Sequence, residues 1–391
     1  MTSVVQLKRR RWWRSQATRG VLYQVLLLSL CVAGIGYLVH NTMVNMDARG
    51  IRSGWGFLSQ SAGFDIGETM IPYDSMDPYW KAFLVGILNT LRVAVIGIVG
   101  ATVLGTLVAL GRLSSNALVR GLCYGYMELF RNIPLLLQLL TWYLLITELL
   151  PGARDAISIG GIAWLSKAGL TFPVPVWKLG HAIAGAAALA GLVAAWGYRW
   201  NARRRFEATG EQRSMFWVPV LIVVTAALAG WLAGGAPSAW SVPTIEGFSM
   251  DGGASVTPEF LAVQMGLVLY TAAFISEVVR AGLLSVAHGQ IEAAASLGLS
   301  RGQSIRLVMM PQALRVIIPP LTSEYLGLTK NSSLAVVVGY PDIVSVATTS
   351  LNQTGRAVEC VGVIMAVYLT LSLATAAFMN WYNGRVALQE R

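Results

Sequence analysis

Six ionisable side chains of this 391-residue sequence lie inside long apolar stretches: Glu128, Arg131, Glu277, Arg280, Glu324 and Lys330. A charged group at the centre of a membrane helix costs roughly 2.5 to 3.5 kcal/mol on insertion scales, so such groups are paired or functional. Four of them form a pattern that occurs twice, Glu-x-x-Arg at 128–131 and at 277–280. The i,i+3 spacing puts each pair on one face of a helix. These charges predict either ion pairs that fix helix packing or a polar path for a solute.

The composition defines the class of protein that must position these charges. Hydrophobic residues make up 55% of the chain and charged residues 12%, with a mean hydropathy of +0.59. A bilayer-spanning helix needs about 20 apolar residues. Runs of this kind occupy 21–39, 82–110, 118–149, 180–198, 216–235, 262–286, 318–339 and 358–381. We therefore predict an all-α polytopic membrane protein with about eight transmembrane helices.

The positions of Lys and Arg predict the topology. Residues 1–20 contain "KRRRWWR", and further basic residues collect in alternate loops, for example in "YRWNARRR" at 198–205. Under the positive-inside rule both termini are cytoplasmic, 21–39 is a retained anchor and 40–81 is periplasmic. This topology explains the net charge of +10 without a nucleic-acid partner.

Catalytic and metal-binding patterns are missing from the sequence. Three cysteines and three histidines are scattered, without the spacing of a zinc site or a disulfide framework. No G-x-x-x-x-G-K-[ST] phosphate loop and no hydrolase motif occurs. We predict that the chain is not an enzyme and holds no cofactor, and that any ATP and Mg²⁺ act on a separate subunit.

A soft stretch, "GQIEAAASLGLSRGQSIRLVMMP" at 289–311, separates two apolar runs. Ile291, Ala295 and Leu299 recur at helical spacing, which predicts a short amphipathic helix on the cytoplasmic side. Small side chains allow close approach to a partner's groove, whereas helices that rest on lipid usually carry large apolar anchors. Docking to another protein is the functional interpretation, and an interfacial helix is the alternative.

The same stretch resembles the cytoplasmic loop of ABC-importer permease subunits. Their pattern is E-A-A, three residues, Gly, nine residues, then I-x-L-P. It is matched at Glu292, Ala293, Ala294, Gly298, Val308, Met310 and Pro311, where Val and Met replace Ile and Leu. "GILNTLRVAVIG" at 86–97, "MELFRNIPLLLQ" at 127–138, "SEVVRAGLLSVAHGQIEAAASLGLS" at 276–300 and "LTKNSSL" at 328–334 are similar to the polar amino-acid branch, which handles histidine, glutamate, glutamine and arginine. A long insertion at 150–258, with two extra spans, resembles the larger permease subunits of general L-amino-acid systems.

The resemblance implies a type I importer fold, an ABC type-1 transmembrane domain over 86–381 and a location in the cell inner membrane. It implies coupling to a separate ATPase dimer through the loop at 289–311. The residues expected there are Gln290, Glu292, Ala293, Ala294, Ser296, Leu297, Gly298 and Arg301. It also implies a second permease subunit, identical or different, and a periplasmic amino-acid-binding protein.

For an amino-acid zwitterion, a path needs an acceptor for the ammonium and donors for the carboxylate. We expect Glu277 to accept the ammonium. The cluster at Lys330, Asn331, Ser332 and Ser333 either holds the carboxylate or has a structural role, in which Lys330 pairs with Glu324 or a backbone carbonyl and the serines pack helices. The other path candidates are Arg280, Glu128, Arg131 and Gln138. Pro134 is expected to kink the third run.

A second function class also stays open. An ion-coupled secondary amino-acid transporter needs no ATPase, and paired intramembrane charges occur in such carriers. It leaves the loop at 289–311 unexplained.

Overall fold

The computed structural model describes residues 16–386, except 49, 51–52, 212 and 247–248. The basic segment expected at 1–20 lies outside the described residues up to position 15. Twelve α-helices are described: α1 Gln16–Ala48, α2 Tyr79–Arg112, α3 Ala117–Asn132, α4 Leu135–Leu144, α5 Leu179–Thr209, α6 Trp217–Ala233, α7 Pro258–Leu284, α8 His288–Ser296, α9 Arg301–Ser304, α10 Met310–Asn331, α11 Ile343–Thr354 and α12 Ala357–Val386. Each predicted apolar run overlaps one or two of these helices, so the helical class is confirmed.

The number of spans depends on how bent helices are counted. Among the described residues, five helices are long and apolar enough to cross a bilayer, and two bent helix pairs raise this to seven. α6, with 17 residues, is shorter than the others but uniformly apolar. Eight spans with cytoplasmic termini therefore stay a prediction.

The chain divides into two compact units, one with residues up to Leu91 and Pro341–Ala377, the other with Arg92–Tyr340 and residues from Phe378. In the first unit, Phe57 and Tyr79 meet edge to face with ring centroids 5.4 Å apart. Asn89 is fully buried, and its Nδ2 donates to the carbonyl oxygens of Glu68 at 2.8 Å and Pro341 at 2.9 Å. This amide ties the segment that precedes α2 to the one that precedes α11.

The second unit is built around α7. This helix packs against α3, α4 and α10, and its buried side chains belong to two apolar clusters. Glycine permits one close approach, because a Cβ on Gly105 of α2 would lie 2.8 Å from Cβ of Ile275. α7 is thus the central helix that carries Glu277 and Arg280.

The third apolar run is broken. α3 ends at Asn132, Pro134 precedes α4, and the two parts of the run are bent by 104°. Proline lacks a backbone N–H and disfavours helical geometry in the residue before it. The kink expected at Pro134 is therefore present, as a complete change of direction.

α5 and α6 form an antiparallel hairpin held by small residues. A Cβ on Gly191 would lie 2.8 Å from Cβ of Ala226, and one on Gly230 would overlap Ala187. Gly180 and Gly234 meet at the other end of the hairpin. α5 has 31 residues and α6 has 17, so α5 continues well past the start of α6.

Short strands flank this hairpin, and the sequence analysis did not predict them. The strands are β1 Ile157–Ile159, β2 Ala163–Ser166, β3 Gly169–Phe172, β4 Val174–Pro175, β5 Trp240–Ser241, β6 Thr244–Glu246, β7 Ser249–Asp251 and β8 Ala254–Val256. β1, β2, β3 and β8 form an antiparallel sheet in that order, with β4–β5 and β6–β7 as separate pairs. β8 leads directly into α7, whose first turn is capped by the Thr257 hydroxyl.

Candidate functional site

The Ala-rich stretch forms a helix, a tight turn and a second helix. α8 covers His288–Ser296, and Gly298 follows with a φ of +77°, a left-handed conformation that favours glycine. Ser300 and Gln303 then form a reciprocal capping box, which begins α9. The loop is therefore a defined helical motif.

α8 uses one narrow face for packing. Ala294 is 2% exposed and Ile291 is half-buried. Ile291, Ala295 and Leu299 were expected to recur on one face of a helix, but α8 ends at Ser296, so only Ile291 and Ala295 lie one turn apart on it. Ala295 is exposed, and Leu299 lies beyond the helix because the chain turns at Gly298.

The remainder of α8 is open to a partner. The expected coupling residues that are exposed are Gln290, Glu292, Ala293, Ser296, Leu297, Gly298 and Arg301. The Glu292 carboxylate lies 2.9 Å from Nδ1 of His288, one turn earlier. The Ser296 hydroxyl donates to the carbonyl oxygen of Glu292 at 3.0 Å. The exposed surface combines small residues at Ala293, Ser296 and Gly298 with larger side chains from the same list.

Glu277 is the centre of an ion cluster. One carboxylate oxygen accepts from Arg112 and the other from Arg280, each at 2.6 Å. The Arg112 side chain is 8% exposed, whereas Glu277 and Arg280 are 33% and 31% exposed. Arg112 is thus a buried partner from the end of α2, and the other two charges are accessible.

The second Glu-x-x-Arg figure is arranged differently. Glu128 accepts from Nδ2 of Asn132 at 3.1 Å rather than from Arg131. The Arg131 guanidinium lies over the ring of Phe274, 5.1 Å from its centroid. The identical spacing therefore produces an ion pair on α7 and two separate interactions on α3.

Gln138 stabilises the break between α3 and α4. Its Nε2 donates to the carbonyl oxygens of Phe130 and Ile133, both at 2.9 Å. These are carbonyls that the interrupted helix leaves without an N–H partner. Its Oε1 is buried and accepts no hydrogen bond within the described part of the chain.

The polar residues 330–333, at the end of α10 and just after it, differ in exposure and in hydrogen bonding. Lys330 is exposed, and Asn331 is half-buried at the end of the helix. The hydroxyls of Ser332 and Ser333 donate to the carbonyl oxygens of Thr329 and Lys330, both at 2.8 Å. Both hydroxyl protons are therefore used by the backbone, which leaves the oxygens only as acceptors.

Two polar residues that form contacts between helices were not predicted from the sequence. Arg112, at the end of α2, pairs with Glu277 and was not among the predicted site residues. Gln264 of α7 is buried, donates to the carbonyl oxygen of Val93 at 3.1 Å and leaves its Oε1 without a hydrogen bond among the described residues. A polar side chain inside "FLAVQMGLV" was the available signal for Gln264.

Comparison with known proteins identifies the relatives of this chain. The family described as "binding-protein-dependent transport system inner membrane component" matches residues 213–387. The general L-amino acid transport system permease protein AapQ of Rhizobium johnstonii is 45% identical over 95% of this chain and 93% of its own length. The putative amino-acid ABC transporter permease protein YhdX of Escherichia coli is 46% identical over 95% of each chain. The glutamate/glutamine/aspartate/asparagine transport system permease protein BztB of Rhodobacter capsulatus is 39% identical over 95% of each.

The series of long apolar helices defines a multi-pass membrane protein. The long, full-coverage similarities narrow that class. The chain belongs to the family of amino-acid ABC transporter permease proteins.

Proposed function

We propose that this chain lines the path for L-amino acids in an ATP-driven importer of the inner membrane. A separate ATPase dimer supplies the energy, a periplasmic binding protein delivers the cargo, and a second permease chain completes the pore. The geometry of α8 carries the proposal, and 45% identity to a general L-amino acid permease supports a broad cargo. The fold proposed with it is a type I importer with eight spans.

The ATPase would bind the exposed face of α8. Ala293 and Ser296 are small, so a partner groove approaches the helix backbone closely. The left-handed turn at Gly298 and the capping box at Ser300 connect α8 firmly to the segment that leads into α10. Movement of the ATPase would therefore be transmitted to the apolar helices rather than absorbed by a loose loop.

Two variants test this coupling. Gly298→Val forces a β-branched residue into a left-handed conformation, which costs about 1 to 2 kcal/mol and redirects the turn. We expect the assembled transporter to insert normally but to lose amino-acid uptake in proteoliposomes. Gly185→Val is the matched control, because Gly185 is exposed on α5 outside this loop, has an ordinary φ and has open space around its Cα. Equal uptake by both variants would contradict the proposal.

A crosslink tests the contact itself. With Cys31, Cys123 and Cys360 replaced by Ala, a cysteine at Ser296 should crosslink to the ATPase subunit of the assembled transporter. A cysteine at Thr209, exposed at the end of α5, is the control and should not. A P-loop ATPase attached equally to both positions would argue against α8 as the docking helix.

The accessible charges beside α7 suit a zwitterion. Glu277 and Arg280 are each about one-third exposed and paired to one another. An amino acid would replace this pair, with its carboxylate on Arg280 and its ammonium on Glu277, while Arg112 holds the glutamate in place.

The strand region would receive the binding protein. Ile157 and Ile159 are exposed on β1, which is the edge of the four-stranded sheet. Side chains two residues apart point to the same side of a strand. Since β8 of this sheet continues into α7, docking here would act on the helix that carries Glu277.

A double substitution tests that surface. Ile157→Lys with Ile159→Lys should abolish docking of the cargo-loaded binding protein to the transporter in nanodiscs. Ile245→Lys, an exposed position on the separate β6–β7 pair, should leave docking unchanged. Unaltered docking of the double variant would remove the sheet from the proposal.

The ion-coupled alternative makes an opposite prediction. Uptake would then stop on addition of a protonophore and continue without ATP. Such a carrier has no use for an exposed docking helix, whereas an ATP-driven importer needs one.

A further inference from the structure

A groove runs between α5 and α6 in the part of the hairpin where α6 begins. Its volume is about 450 Å³, and its walls include Leu192, Trp196 and Arg199 of α5 and Val220 and Val224 of α6. The walls are apolar apart from the Arg199 side chain. The groove therefore combines a site for a hydrocarbon chain with a positive charge.

Aromatic side chains mark the same level of α5. The indoles of Trp196 and Trp200 are stacked, with ring centroids 6.2 Å apart and planes 6° from parallel. They are 70% and 53% exposed. The Arg204 guanidinium carbon lies 3.9 Å above the Trp200 ring. Exposed tryptophans combined with arginine are typical of the boundary between hydrocarbon and headgroups.

The charges at this boundary are only partly neutralised. Arg203 forms an exposed pair with Glu207 at 3.3 Å. Within the described ranges, Arg199 and Arg205 form no ion pair with an acidic side chain. Arg199 and Arg203 are one helical turn apart and share a face. An excess of positive charge therefore lies at the mouth of the groove.

α6 is too short to span the bilayer core by itself, and the groove lies at the end where the helix begins. With 17 residues, α6 is shorter than the roughly 20 needed to span a bilayer core. The groove places Arg199 across from Val220, in the first turn of α6. A lipid headgroup bound at Arg199 would cover the membrane-facing surface beside the first turn of α6.

We propose that the α5–α6 groove binds one anionic phospholipid. Its acyl chain lies along Leu192, Val220 and Val224, and its phosphate accepts from the guanidinium groups of Arg199 and Arg203. This site is independent of the cargo and of the ATPase, because it involves only the hairpin. Charge complementarity selects an anionic headgroup over a zwitterionic one.

The test uses the full-length chain purified in detergent within its transporter. Phosphatidylglycerol or phosphatidylcholine is added, and the retained lipid is counted by native mass spectrometry. Combined Arg199→Gln and Arg203→Gln should lower phosphatidylglycerol retention by about fivefold per guanidinium removed and leave phosphatidylcholine unchanged. Val224→Trp, which fills the groove, should lower retention of both lipids.

Matched variants distinguish lipid binding in this groove from nonspecific attraction of anionic lipid to basic residues. Arg213→Gln removes a basic residue of the following loop, which is paired with Glu211 and lies outside the groove, and should retain phosphatidylglycerol. Combined Arg199→Lys and Arg203→Lys preserves the charge and should also retain it. The proposal is overturned by wild-type retention in the Gln variant or in Val224→Trp, or by equal loss in Arg213→Gln or in the Lys variant.

Discussion

At the residue scale, two arginines share the Glu277 carboxylate but differ in exposure, which separates their roles. Arg112 is buried, so Arg112→Gln should weaken the fold by about 2 kcal/mol, the usual contribution of a hydrogen bond to a charged group. Arg280 is accessible, so Arg280→Gln should lower uptake more than tenfold with little effect on stability. Thermal unfolding of the purified protein and uptake by proteoliposomes provide the two measurements.

Glu211→Gln serves as the control for these variants, because its carboxylate forms only an exposed pair with Arg213 in the loop after α5. The control should change neither the thermal stability nor the amino-acid uptake appreciably. Similar uptake by Arg280→Gln and the parent protein would exclude this ion cluster from the cargo path.

Part of the ion cluster around Glu277 could be predicted from the sequence. The i,i+3 rule predicted the contact of Glu277 with Arg280, since both residues lie on one helix. It also suggested a contact of Glu128 with Arg131 that does not form, because Phe274 from another helix offers the arginine a different partner. Arg112 lies 165 positions from Glu277, and no local pattern connects the two. Tertiary contacts decide which charges pair.

At the element scale, the α5–α6 hairpin depends on the absence of side chains at its crossing points. Gly230→Val should separate the helices, because the added Cβ would overlap Ala187. Overpacking of this kind typically costs 1 to 3 kcal/mol. Thermal unfolding should therefore show a clear loss of stability.

Gly185→Val has the same intrinsic helix penalty, but Gly185 has no neighbour within 4 Å. The difference between the two variants isolates the packing effect. Equal destabilisation would mean that the hairpin does not rely on close approach at Gly230.

Helices were predictable here and strands were not. Apolar length is a local property, so all of the apolar runs could be recognised without tertiary information. The strands have two to four residues each, too short for an alternating pattern, and β8 pairs with β3 across the whole hairpin. The break at Pro134 was visible, but the 104° bend also depends on the Gln138 amide that caps the freed carbonyls.

At the scale of the whole molecule, the proposed topology places α8 and the four-stranded sheet on opposite sides of the membrane. Single cysteines at Ser158 of β1 and at Ser296 of α8, in a chain without the native cysteines, test this directly. A membrane-impermeant maleimide should label position 158 in cells with a permeabilised outer membrane. Position 296 should react only after lysis, and the reverse pattern would contradict the topology.

The small side chains of α8 have a consequence for selectivity among ATPases. Alanine and serine offer shape but little chemical identity, so their part of the proposed docking surface would not distinguish one ATPase from another. In the proposed complex, discrimination would depend on the exposed side chains with size or charge, which are Gln290, Glu292, Leu297 and Arg301. Importers with this loop would exchange ATPase subunits readily, and few substitutions would be needed to make a pairing exclusive.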